Sequence, residues 1–452
     1  MDKKITLASL TLPIFIENFL RMLLGNVNVF MLSRFSDKAV GAVGVANQVI
    51  TMIVMLYGII SYGTAVIINQ YLGSGDRKTA SRVAAVAIVS NFVFSSAVSL
   101  GLVVFAGQIL KIMNLPQELM EYGRVYLMIA GGATFTQALI ATMSGISRSF
   151  GHPKYSMMVS IEMNILNITG NYLVVFHPFG MPVFGVAGIA TSLVASEVIA
   201  VITMFYLMRH KVNIRFSLKD LMPFPKEVLR DIVKIGVPSA GEFLSYSGSQ
   251  IVTTSIIAML GAFALTTRVY TQNLMYLVWM LGLSIGQGTM ILVGHLVGSN
   301  RINEAYQSGT HNVKIAILVD SCSAFVMFLI SRPVLGLFTH NQAIINTGSM
   351  LLLITIALEP GRAFNLVIGN ALRGAGDVRY PVLMGILSMW FISVPLCYIL
   401  GIVLKLGLPG IWLAFAADEW TRGIILMMRW KSRIWQRMSI VKDKYMEPVK
   451  NF

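Results

Sequence analysis

Two glutamates stand where a carboxylate is costly. Glu17 lies in LPIFIENFLRMLLGNVN, residues 12–28, within an apolar run long enough to cross a bilayer, and Glu242 lies in a second such run. Each follows a proline by four residues, Pro13 and Pro238 respectively. A charge at bilayer depth normally faces a bundle interior or a water-filled path, so these two are candidates for ion coupling. Proline frees part of the helical ladder, which lets protonation of a nearby carboxyl couple to bending. The plainer reading is a carboxyl that hydrogen-bonds a neighbouring helix. Glu17, Arg21, Leu24 and Asn28 fall at i, i+4, i+7 and i+11, on one helical face. Glu17–Arg21 is therefore either a packing pair or part of an ion path.

Other polar residues recur in apolar runs. Asn164, Asn167 and Asn171 form a neutral face that either holds helices together or lines a cavity. Thr191 and Glu197 share a later run, and Asp320 lies in another. Glu359 and Arg362 are spaced for a local ion pair, as are Asp418, Glu419 and Arg422, and structural pairing is the simpler role there. Enzyme chemistry has little to stand on. The six histidines are scattered, no HExxH or Walker A loop is present, and the two cysteines have no metal spacing. No enzyme, cofactor or metal is expected, and energy would come from a Na+ or H+ gradient.

The elements that position these residues are membrane spans. Only 12% of the 452 residues are charged, against about 25% in soluble domains. Apolar runs recur from end to end, at about 7–32, 43–71, 80–105, 121–147, 155–177, 184–208, 231–259, 265–296, 306–331, 344–371, 379–404 and 408–428. The expected fold is an all-α polytopic membrane protein with twelve transmembrane helices. Residues 226–234 read as a short interfacial helix before the seventh span. The net charge of +15 sits mainly in connecting loops, which points to orientation in a membrane and not to nucleic acid. Arg77, Lys78, Arg82, Arg148, Arg301, Arg373 and the basic tail from Arg429 share one side with the N-terminus, so both termini are expected in the cytoplasm. The tail anchors on lipid headgroups.

The halves repeat. An offset of 225 residues carries Pro13 onto Pro238, Glu17 onto Glu242, Gly73 onto Gly298, Arg148 onto Arg373 and Tyr155 onto Tyr380. This predicts two pseudo-symmetric six-helix lobes, residues 1–225 and 226–452, as a parallel repeat of the kind transporters use.

EPGRAFN at 359–365, LRGAGD at 372–377 and Tyr380-Pro381 resemble the multidrug and toxic compound extrusion (MATE) family. QYLGSGDRKTA and HLVGSNRINEA, one per half, resemble that family's linkers, and VFGVAGIATS its sixth-span entry. The resemblance covers nearly the whole chain. It implies a secondary antiporter of the cell's inner membrane that exports amphipathic or cationic organic compounds in exchange for Na+ or H+. The partners it implies are a small amphipathic substrate and membrane lipids, with the protein a monomer. The alternative is a flippase of a lipid-linked precursor, which would need a strongly basic cavity. In many members the N-lobe cation site has an acid at the place of Asn28, and in some also at the place of Asn171; here Asn28, Asn167, Asn171 and Thr191 supply no carboxylate. The candidate coupling and substrate residues are thus Glu17, Arg21, Asn28, Asn167, Asn171, Thr191, Glu242, Glu359 and Arg362.

Overall fold

In the computed structural model, residues 6–176, 184–214, 222 and 224–441 are described. Among them the chain is helical and contains no β-strand. Twelve long helical elements follow in order: α1 Leu7–Ser33, α2 Asp37–Gly73, α3 Arg77–Val104, α4 Gln117–Gly131 with Thr134–Ser149, α5 Pro153–Phe176 and α6 Gly185–His210. The second six are α7 Lys226–Ala258, α8 Ala262–Gly298, α9 Ile302–Leu329, α10 Gln342–Gly374, α11 Arg379–Val403 and α12 Gly407–Lys431. Short helices Ala106–Ile112, Ser331–Gly336 and Ile434–Met438 lie between or after them.

Eight of the twelve are long and apolar enough to span a bilayer unaided, and α4 qualifies as a pair of segments bent by 40°. The other three, α5, α7 and α12, have 24, 33 and 25 residues, at least ~36 Å of helix at 1.5 Å per residue. That exceeds a hydrocarbon core of about 30 Å. These three also carry the asparagine face, Glu242, and the Asp418–Glu419–Arg422 group. The protein is a multi-pass membrane protein of twelve helices. Residues 226–234 are not a separate interfacial helix, because α7 runs unbroken from Lys226 through Pro238. The connection from 211 to 225 lies partly outside the described residues.

The chain divides into two compact units. One, here the N-lobe, contains Leu12–Ile68 and Asp76–Ala240; the other, the C-lobe, contains Asn69–Gly75, everything from Gly241 onward and the start of α1 up to Thr11. The first turns of α1 therefore belong with the second half of the chain, and the first turns of α7 with the first half. Local packing explains the exchange. Within the C-lobe, a side chain at Gly288 of α8 would crowd Thr11, Leu7 and Leu10 of α1; within the N-lobe, one at Gly63 of α2 would overlap the Ile232 carbonyl of α7. Gly63 and Gly288 are related by the repeat offset. A second reciprocal contact lies inside the C-lobe: a Cβ on Gly73 would overlap the His295 carbonyl oxygen, and one on Gly298 that of Gln70. Only glycine permits such backbone approach. Nearby, Gln70 Nε2 donates to the Gly374 carbonyl at 2.9 Å, and its Oε1 accepts from the Ile440 backbone N–H at 2.7 Å.

Candidate functional site

In the N-lobe, Glu17 is 1% exposed, and burying a lone carboxylate in such surroundings would be prohibitive. It is not alone. Arg148, from the end of α4, donates through Nη1 to both Glu17 oxygens at 2.8 and 2.7 Å. Arg21, one turn along α1, donates more distantly at 3.2 Å. Deeper in the lobe, Glu197 of α6 accepts from Thr136 Oγ1 and from Gln137 Nε2 of α4, within electrostatic range of Arg21. Two acids and two arginines thus balance.

The asparagines predicted from α1 and α5 meet. Asn171 Nδ2 donates to Asn28 Oδ1 at 2.6 Å and to Asn167 Oδ1 at 3.1 Å. Asn164 turns instead to its own helix, donating to the Ser160 carbonyl. Thr191 is not part of this network: it is exposed and donates to the Ala187 carbonyl one turn back.

The C-lobe repeats the first arrangement. Arg373 Nη2 donates to Glu242 Oε2 at 2.5 Å. Both pairs span 131 residues, and the repeat offset superimposes acid on acid and arginine on arginine. Spacing along α1 pointed only to Arg21. The matched arginines Arg148 and Arg373 were visible in the repeat, yet their pairing with the matched glutamates arises only when α4 packs on α1 and α10 on α7.

The centre of the C-lobe is different. Arg362 of α10 donates to Glu359 at 2.6 Å and to Glu419 of α12 at 3.2 Å. Glu419 also accepts from Asn365 at 2.8 Å. Arg422 pairs with Asp418 at 2.6 Å, and Ser388 donates to Asp418 as well. Asp320 of α9 completes the group. It is wholly buried, and neither carboxyl oxygen has a hydrogen-bond partner; one oxygen of Glu359 is also without one. Four acids share Arg362 and Arg422. The lobe's further buried arginine, Arg268, is taken up by Gln250, Thr254 and Gln272.

These groups can hold, exchange and balance charge inside a membrane. Among the described residues no three His, Cys, Asp or Glu side chains come together to hold a metal ion.

Comparison with known proteins agrees in sequence and in fold. The MatE family model matches residues 13–173 and, again, residues 238–399, one copy per half. The chain is 46% identical over 434 residues to the uncharacterized transporter YisQ of Bacillus subtilis, covering 96% of this chain and 95% of that one. It is 26% identical over 438 residues to the probable multidrug resistance protein NorM of Thermotoga maritima, covering 96% and 94%. The fold matches that of a MOP superfamily transporter from Pyrococcus furiosus with a TM-score of 0.86 at 20% identity, over 95% of each chain. A duplicated, twelve-helix chain with acid–arginine pairs at equivalent places, matched by the family in both halves, belongs to the MatE family, the multidrug and toxic compound extrusion (MATE) transporters.

Proposed function

We propose that this MATE transporter is a secondary active antiporter that exports amphipathic, cationic organic compounds in exchange for Na+ or H+. It works in the cytoplasmic membrane as a monomer, with both termini inside. The observation that carries the reading is the pair of lobes, each with acids buried inside it, on a chain with no ATP-binding loop. The names of relatives such as the NorM proteins support a drug-like substrate, and the uneven spread of Lys and Arg supports the orientation.

The residues take different parts in this reading. Glu17–Arg148 and Glu242–Arg373 tie the proline-containing helices α1 and α7 to α4 and α10 of their own lobes. Alternating access by rocking of repeats needs lobes that move as units, and the paired glutamates serve that. Asn28, Asn167 and Asn171 offer neutral polar contacts to substrate, with Arg21 and Thr191 beside the path. Glu359 and Arg362 belong to the charge-exchanging centre. A flippase of lipid-linked precursors would call for unclaimed basic groups, whereas Arg148, Arg362, Arg373 and Arg422 are each engaged by acids.

The test is efflux of ethidium and tetraphenylphosphonium from proteoliposomes under a Na+ gradient or a pH gradient imposed separately. Gradient-dependent movement of either cation is the expected result. No movement under both gradients would overturn the proposal.

A further inference from the structure

A lysine inside a membrane-spanning helix calls for a reason, and α9 carries one, Lys314. It is exposed, as is Lys431 at the end of α12, and among the described residues neither makes an ion pair or a hydrogen bond. Both line a groove of about 400 Å3 between α9, α10 and α12, inside the C-lobe. No acid lines it. The rings of Phe364 and Trp420, 5.9 Å apart, stand at the end away from Lys431, and Ile424 beside them is exposed. The other polar groups of the wall are spent on protein. Trp420 Nε1 donates to the Ala357 carbonyl at 2.8 Å, and the Thr310 hydroxyl donates to the Tyr306 carbonyl at 2.9 Å. What the groove offers is two ammonium groups and an apolar wall.

Helix packing sets the depth of each group. Gly309 of α9 lies against the Trp430 ring of α12, and Arg433 donates to Asn303 at 3.0 Å, so α9 begins where α12 ends. Lys431 is level with that contact. Lys314 comes five residues past Gly309, about 7.5 Å deeper at 1.5 Å per residue, and a lysine stem of this kind snorkels back toward the interface. From Lys431 to Trp420 is eleven residues, about 16 Å of helix, close to half of a hydrocarbon core of about 30 Å. The groove is thus one leaflet deep, charged at the headgroup end and apolar below. The other lobe has no counterpart: the repeat offset places Val89, Tyr206 and Ala195 where Lys314, Lys431 and Trp420 stand. The basic rim is particular to the C-lobe.

We infer that this groove binds one anionic phospholipid, its phosphate against the Lys314 and Lys431 ammonium groups and an acyl chain along the wall toward Trp420. The charge pattern selects the occupant. Two unpaired cations repel the organic cations proposed as cargo and favour an anionic headgroup, by about fivefold per lysine. A zwitterionic headgroup brings its own ammonium and forfeits that gain. A small aqueous anion would satisfy the lysines and leave the apolar wall uncovered, whereas a phospholipid matches both ends. On the orientation proposed above the site lies in the cytoplasmic leaflet. Nothing else in the inference depends on the antiport reading. Phe364 and Trp420 neighbour Arg362 and Glu419 in sequence, so the seated chain braces the two helices that carry the buried charges.

The test titrates the purified full-length transporter with phosphatidylglycerol or with phosphatidylethanolamine of the same acyl chains, and counts bound lipid by native mass spectrometry. Wild type is expected to hold one phosphatidylglycerol about tenfold or more tighter than phosphatidylethanolamine, as two lysines imply. Lys314→Gln combined with Lys431→Gln is expected to lose that preference. Lys78→Gln combined with Lys154→Gln, which removes the same charge from exposed positions at the starts of α3 and α5, is expected to keep it. Equal affinity of wild type for the two lipids overturns the inference. So does an unchanged preference in the Lys314 and Lys431 variant, or an equal loss in both variants. A dimer that the Lys314 and Lys431 substitutions abolish would give the groove to a second copy and overturns it too. Should that variant not fold, Trp420 fluorescence decides, taken as the difference between wild type and Trp420→Phe. Stronger quenching by phosphatidylglycerol with brominated acyl chains than by the brominated ethanolamine lipid supports the site, and equal quenching refutes it.

Discussion

The two lobes share one ion pair and differ in their centres. Glu17–Arg148 and Glu242–Arg373 occupy equivalent positions, although the N-lobe glutamate is 1% exposed and the C-lobe one 21%. At the centre, Tyr57, Ser95, Ser99 and Thr134 of the N-lobe answer to Gly282, Asp320, Ala324 and Glu359 of the C-lobe. What duplication kept holds helices within each lobe. Where the halves differ, hydroxyls of the N-lobe stand at the places of two acids in the C-lobe. Shared features of the halves thus read as architecture, and their differences mark where the two lobes differ in chemistry.

The comparison can be broken most forcefully at the shared pair. Arg148→Ala leaves Glu17 buried and unpaired, at a cost of about 3–5 kcal/mol. Arg373→Ala should cost less, because Glu242 is better exposed. Thermal unfolding of the purified variants checks the order, and equal losses would contradict it. Asp320→Asn should by contrast leave the unfolding temperature unchanged or raise it, since it removes a buried acid that has no hydrogen-bond partner.

The exchange of tyrosine for glycine gives the next effect. Gly282→Ala pushes a methyl group into Asp320, and overpacking of this kind costs about 1–3 kcal/mol. Adding Asp320→Ser, the residue of the other lobe, should recover most of that loss. A double-mutant cycle measures the coupling, and simple additivity would show that the two positions do not share one space.

Smaller differences lie at the helix entrances. Asp76 caps α3 by accepting from the Thr79 backbone N–H at 3.0 Å, whereas Arg301, its counterpart before α9, makes no side-chain cap. Asp76→Ala should cost about 1 kcal/mol, and Arg301→Ala much less, again by thermal unfolding.

The smallest effect concerns the turns that precede α5 and α11. His152 stands in the N-lobe where Asp377 pairs with Arg429 at 2.8 Å in the C-lobe. Burial, and then the nearby Arg77 charge, push the His152 pKa below its ordinary value. The unfolded chain therefore binds this proton more readily. The contribution of His152 to stability is present above about pH 6.5, the unfolded value, and is lost as pH falls through the folded one. His152→Gln should flatten the acid side of the stability profile, and an unchanged profile would remove this histidine from the account.

Much of this was legible in the chain. Apolar runs gave the twelve helices to within a few residues, because spans are long and repetitive. One offset joined Glu17 to Glu242 and Arg148 to Arg373. The i, i+4 spacing joined Glu17 to Arg21, but that contact is the longer one at 3.2 Å, since the nearer arginine arrives from another helix. Asp320 was visible as an acid in a span. Its isolation was not, because it depends on what α8 fails to offer at Gly282. The role of Thr191 could not be read either: its hydroxyl is taken by its own backbone, a choice that sequence spacing does not reveal.

The most direct measurement is calorimetry of tetraphenylphosphonium binding to the purified transporter in two buffers of different ionisation heat. If the coupling ion and the exported cation compete, linkage requires each to displace the other. The proposed antiport predicts that cation binding either releases protons, read as a heat that differs between the buffers, or weakens as Na+ is raised. Binding that shows neither effect would contradict it.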